Sequence, residues 1–133
     1  MVWRRRDRAA RKKLGEGRNH AGEDFRRASL ADMDLSGYVF VECDFWGADL
    51  TAATLVGARF ARANLQSAYL TGAQMINADL SGANLRGAYL LATNFSGADL
   101  DGIDISDAIW DQATTWPAGF DPWKHPSRLT PKR

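Results

Sequence analysis

The chain has a single cysteine, four prolines and two histidines, and no apolar run near the ~20 residues of a membrane-spanning helix. With only Cys43, an intramolecular disulfide and a cysteine-built metal centre are excluded. A lone thiol sits most easily in a reducing compartment, so a cytoplasmic location is expected. His20 and His125 are too far apart in sequence to form a metal-binding pair of the His-x-x-x-His kind. No Ser/His/Asp arrangement or glycine-rich phosphate loop is present either, so no catalytic, cofactor-binding or metal residue is named. A non-enzyme without cofactors is expected. The opening Met1-Val2-Trp3-Arg4-Arg5-Arg6 is basic, but no hydrophobic stretch follows, and it is not read as a secretory leader.

What is there suits one domain of 133 residues, 45% hydrophobic and 25% charged, which is neither a disordered chain nor a membrane protein. The formal charge of +1 conceals a division. Residues 1–22 carry a net +6, residues 23–109 a net −7, and residues 110–133 a net +2. Different segments are therefore expected to have different roles.

The dominant signal is a period of five. Every fifth residue from Phe25 to Ile105 is large and apolar, 17 in succession. Given the hydrophobic fraction of the chain, chance would yield such a run roughly once in a million trials. Two positions earlier stands Ala in 11 of the 17 units, and between the two stands Asp or Asn in 10. Two positions after the large residue stands Gly in eight.

Neither ordinary element accommodates this spacing. Five residues rotate an α-helix by about 140°, which would spread the large residues around every face. A flat strand would turn every second one outward. The pattern closes if each pentapeptide holds three extended residues, pointing in, out and in, followed by a two-residue turn. Ala and Leu or Phe then face inward, Asp or Asn faces water, and Gly suits a turn position of positive φ. Successive coils spaced about 4.8 Å apart would pair their backbone groups as a β-ladder.

The run from Ala48 to Leu100 resembles the pentapeptide-repeat proteins, whose motif is A(D/N)LXX. The resemblance covers residues 23–109 and implies an all-β fold, a right-handed quadrilateral β-helix with four pentapeptides per coil. That solenoid would have about four coils, about 20 Å tall. Its central residues would stack in columns twenty apart, such as Phe25, Phe45, Leu65, Leu85 and Ile105. Cys43 falls at a small inward position, where a packed thiol is expected.

Solenoid ends need covers. Residues 1–22 are read as a basic arm that forms a short N-terminal helical cap, with Val2, Trp3, Ala10 and Leu14 on its apolar side. The sharper alternative is a nucleic-acid or acidic-partner arm carried by Arg4, Arg5, Arg6, Arg11, Lys12 and Lys13. Residues 110–133 break the period; Trp110, Trp116 and Phe120 are expected to fold onto the last coil, ahead of a loose basic tail with His125, Arg128, Lys132 and Arg133.

Function is then expected from the outer surface. Tyr69, Tyr89, Leu91, Val56 and Ile76 lie outward on neighbouring faces and form the candidate interaction surface for a protein partner or a second copy of the chain. Trp46, also outward, is expected to lie under the N-terminal segment. The resemblance implies an alternative, because well-understood family members protect DNA gyrase by imitating duplex DNA with an acidic rod. Here the acidic rows are interrupted by Arg26, Arg27, Arg59, Arg62 and Arg86. Duplex DNA presents a charge every ~1.7 Å, so gyrase ranks second as a partner. Direct nucleic-acid binding through the arm ranks third, and no membrane is expected.

Overall fold

The computed structural model describes residues 5–125, with side chains from residue 8 onward. One α-helix, α1 (Arg5–Leu14), leads into a stack of parallel β-bridges spaced 20 residues apart. One row runs through Asn19, Val39, Arg59, Asp79 and Asp99; a second runs through Ser29, Asp49, Tyr69, Tyr89 and Ile109. Four pentapeptides therefore complete each circuit. Among the described residues, no helix is long and apolar enough to cross a membrane.

The repeat motif follows from the fate of its five backbone N–H groups, and Cys43–Gly47 shows all of them. Phe45 N–H and Gly47 N–H donate to the next coil, at Asn64 O (2.7 Å) and Gln66 O (3.0 Å). Asp44 N–H donates to the previous coil at Glu23 O (3.0 Å), and Cys43 N–H closes the preceding turn on Phe40 O (3.1 Å). Only Trp46 N–H is left, and the Asp44 Oδ1 accepts it at 3.0 Å. The Asp/Asn preference is thus a local cap on a donor that the ladder cannot reach. The same bond recurs from Arg26 to Asp24, Ser81 to Asp79 and Ser106 to Asp104.

Those caps make stability depend on pH. Arg26, hydrogen-bonded to Asp24 through its side chain and its backbone, holds that carboxyl down at about 2. Hydrogen bonds from Ser36, Ser81 and Ser106 lower Asp34, Asp79 and Asp104, and the Ala92 N–H lowers Asp111. A carboxyl depressed by folding contributes stability above its unfolded pKa and loses it as pH falls through the folded value. The melting temperature is therefore expected to hold level above about pH 5 and to fall steadily from about pH 4 to 2, in a series of calorimetric scans. A flat profile down to pH 2 would contradict the capping role.

The turn position two after each central residue from His20 to Ile105 has positive φ, whatever residue occupies it. Gly47 and Gly57 have φ of 63° and 67°; Ala52, Glu42 and Arg62 have 57°, 59° and 57°. An L-residue is strained there, and glycine is not. Ala52→Gly is expected to stabilise the chain by about 0.5–1 kcal/mol by urea unfolding, the relieved strain exceeding the entropy lost. Asn77→Gly should gain less, since Asn tolerates this region.

The central residues fill the core: Leu30, Phe40, Phe45, Leu65, Leu80 and Leu90 are all fully buried. In the early coils the rings meet. Phe25 and Phe45 stack at 5.0 Å, Phe40 lies edge-on to Phe45 at 5.0 Å, and Phe40 sits 5.1 Å from Phe60.

Both ends extend further than the sequence suggests. The ladder begins with the Asn19–Val39 bridge, ahead of residue 23, and His20 occupies a central core position with 2% exposure. A polar residue in an apolar column concealed this unit. Its ring nitrogens are matched by the Gly17 carbonyl (2.6 Å) and the Glu23 carboxylate (3.0 Å), which is what permits the burial. At the other end Trp110 takes the next central position, and one extra residue shifts the row so that Asn94 pairs with Thr115. Trp116 then stacks on Phe95 at 5.1 Å, followed by Phe120 at 5.1 Å and a short 3-10 helix, Pro122–Lys124.

α1 lies on the first coil. Ala10 and Leu14 join the core cluster, while Lys13 donates to Asp24 O at 2.7 Å and rests over the Phe25 ring at 5.0 Å. Arg128, Lys132 and Arg133 of the expected basic tail lie outside the described residues.

Candidate interaction surface

The second bridge row carries the outer face of greatest interest. Its outward positions are Ser29, Asp49, Tyr69, Tyr89 and Ile109, each one rung above the last. Backbone pairing brings the Tyr69 and Tyr89 rings into a parallel stack, with centroids 4.7 Å apart and planes 2° from parallel. Tyr69 is 44% exposed, whereas Tyr89 and Leu91 are half-buried. Val56 and Ile76 occupy equivalent turn positions on the next face, in adjacent coils linked by Gly57 N–H to Ile76 O at 2.9 Å. Val56 is exposed and Ile76 half-buried. The five residues thus form a Tyr pair with Leu91 on one face, and an aliphatic pair on its neighbour.

Trp46 departs from its expected place. It stands 36% exposed on the surface, with the Arg27 guanidinium over its ring at 5.1 Å. Together with Ser29, Gly47, Asp49, Thr51, Ser67 and Tyr69 these residues line an open groove of about 560 Å³. Sequence reasoning did not assemble it. The available signal was the column Ser29, Asp49, Tyr69, in which two short side chains precede a large ring.

The basic arm divides. Arg4 and the side chains of Arg5 and Arg6 lie outside the described structure. Arg11, Lys12 and Lys13 form the last turn of α1, where Lys12 is exposed while Lys13 turns onto the first coil. The acidic surface is partly neutralised by its own arginines. Arg26 pairs with Asp24 at 2.8 Å and reaches Asp44 at 3.9 Å, and Arg62 pairs with Glu42 at 3.0 Å.

The thiol of Cys43 is 1% exposed and donates to His20 O at 2.9 Å. Burial pushes its pKa up to about 11, the reverse of what a nucleophile needs. Thr93 and Thr114 hold the equivalent inward position in later coils, with their hydroxyls on Leu70 O (2.7 Å) and Leu90 O (2.8 Å). A polar atom is admitted at this position because a carbonyl of the preceding coil accepts from it. Among the described residues, no group of three or more His, Cys, Asp or Glu is placed to hold a metal ion.

The pentapeptide-repeats family matches in eight copies, over residues 24–55, 43–82 and 73–109. The chain belongs to the pentapeptide-repeat family. No curated protein sequence matches it. Among solved structures it is similar to alr5209, a pentapeptide repeat protein from Nostoc PCC 7120, at 39% identity over 76% of this chain and 79% of that one, with a TM-score of 0.63. A pentapeptide repeat protein from the Arabidopsis thaliana thylakoid lumen is 26% identical over 73% of this chain and 68% of that one, with a TM-score of 0.68. QnrB1, a plasmid-mediated fluoroquinolone resistance protein, is 26% identical over 68% of this chain and 52% of its own, with a TM-score of 0.52. This pentapeptide-repeat protein therefore shares its architecture with members found in quite different settings.

Proposed function

We propose that this pentapeptide-repeat protein is a non-catalytic, cytoplasmic interaction module, a right-handed β-helix with α1 as its N-terminal cap. It binds a protein partner, or a second copy of itself, through the Tyr69–Tyr89 face and the adjoining Val56–Ile76 corner. The observation that carries this reading is the Tyr69–Tyr89 stack, with Tyr69 at 44% exposure beside partly exposed Leu91 and Ile76. Rigid, pre-stacked aromatic rings lose little freedom on binding, which suits them as interface anchors. Tyr69→Asp combined with Ile76→Asp is expected to abolish self-association or partner capture while the melting curve stays cooperative. Light scattering after gel filtration and pull-down recovery measure it; unchanged mass together with unchanged recovery would reject the surface.

The second reading, a DNA-mimicking protector of gyrase, is favoured by the likeness to QnrB1 and by the net −7 of residues 23–109. Against it stand the arginine pairs on Asp24 and Glu42, which break the acidic rows. A gyrase supercoiling assay with and without a quinolone separates the readings. The interaction module leaves the assay unchanged, whereas a gyrase protector restores supercoiling.

A further inference from the structure

Beneath the Tyr69 ring the aromatic stack ends. One face of the ring is covered by Tyr89, while the rung on its other side is Asp49, followed by Ser29. Short side chains there leave the open face of Tyr69 looking into the groove of about 560 Å³, with Trp46 as a second ring on its wall. The size lies within the range of small-ligand sites.

The chemistry of the lining limits what can enter. Among the described residues Arg27 is the one cation and Asp49 the one anion of the lining, so these residues offer no net charge to an ionic ligand. Asp49 Oδ1 accepts the Thr51 N–H at 3.0 Å, and an ionised carboxylate keeps further acceptor capacity on its second oxygen. Ser29, Thr51, Ser67 and Tyr69 contribute hydroxyls that both donate and accept. Two aromatic side chains, four hydroxyls, one acid and one base match a neutral, hydroxyl-rich ligand with an apolar face. A pyranose has that character: its C–H face packs on the electron-rich face of an aromatic ring, and its hydroxyls require paired donors and acceptors.

We propose that this groove binds a neutral oligosaccharide, with one sugar ring against Tyr69 or Trp46 and adjacent hydroxyls on Asp49 and Arg27. A groove open to solvent suits a chain passing through better than an enclosed single sugar. The inference does not rest on the protein-interaction reading; the two share Tyr69 and nothing else.

The test is a nuclear magnetic resonance titration of the full chain with maltoheptaose, cellohexaose and chitohexaose in turn. At least one is expected to give saturable shifts, at millimolar concentration, of the Trp46 indole N–H and the Thr51, Ser67 and Tyr69 amides. Trp46→Ala, at an exposed turn position, should weaken that binding about tenfold or more, and so should Tyr69→Ala as a second variant. Val56→Ala, on the neighbouring corner, should leave it intact. The proposal is overturned if none of the three saccharides shifts these signals, or if shifts persist unchanged in both groove variants. Ile76→Asp keeps the two readings apart, because it should impair association without altering saccharide binding.

Discussion

Leu65→Asp is expected to eliminate the cooperative thermal transition and to leave the chain unfolded at room temperature. Leu65 is fully buried midway along its column, with Phe45 one coil before and Leu85 one coil after. Its N–H is fixed on Asn84 O at 2.7 Å, so the backbone cannot rotate the new side chain outward without breaking the ladder. A carboxylate there has no cation and no polar cavity, and an unpaired buried charge costs several kcal/mol at least. The lost leucine volume adds about 2–5 kcal/mol. Together these match the whole stability of a domain of this size, about 5–15 kcal/mol.

The position in the middle of the stack matters as much as the chemistry. Each coil is supported only by its neighbours, so a failure at Leu65 separates the early coils from the later ones. Leu65→Met, which conserves volume, should cost less than about 1.5 kcal/mol and melt normally. Circular dichroism during heating distinguishes the pair. A Leu65→Asp chain that is soluble and melts cooperatively near the parent temperature would show that the column assignment is wrong.

The legible part of the fold was the part enforced by repetition. A central residue every five positions, from Phe25 to Ile105, can be read from spacing because each unit meets the same demand: one large side chain inward, one N–H to cap, one turn of positive φ. The terminal units were hidden because their residues meet that demand by other means. His20 enters the core through two hydrogen bonds rather than through apolarity, and the extra residue before Thr115 moves Trp116 out of phase. Positive φ at Arg27, Glu42 and Ala52 was equally concealed, since the ladder imposes it on residues that do not favour it.

The candidate surface was less legible than the core. Tyr69 above Tyr89 follows from a separation of twenty residues, and the stack could be anticipated. The groove could not, because it depends on neighbouring rows: Arg27 and Trp46 come from the preceding turn, while Asp49 and Tyr69 come from the row beside it. Outward side chains are not constrained by the period, and their length and direction decide the surface.

Phe40→Ala should cost about 3–5 kcal/mol, the largest loss of any single truncation in the early coils. Phe40 is fully buried at the centre of the aromatic cluster, 5.6 Å from Phe25, 5.0 Å from Phe45, 5.1 Å from Phe60 and 6.1 Å from the His20 ring. Each favourable ring pair adds about 0.5–1.5 kcal/mol beyond the area it buries. Phe95, also fully buried, stacks on Trp116 alone among the described residues. Phe95→Ala therefore calibrates the area contribution with one ring partner, and the difference between the two variants isolates the cluster. The loss should also be local, since nearest-neighbour coupling confines it to the adjoining coils. In Phe40→Ala, amide exchange should quicken for the Phe25, Phe45 and Phe60 units, while Leu80, Leu85 and Leu90 keep their protection. Uniform loss of protection along the chain would mean that the solenoid melts as one unit, and that the aromatic cluster does not set the stability of its own end.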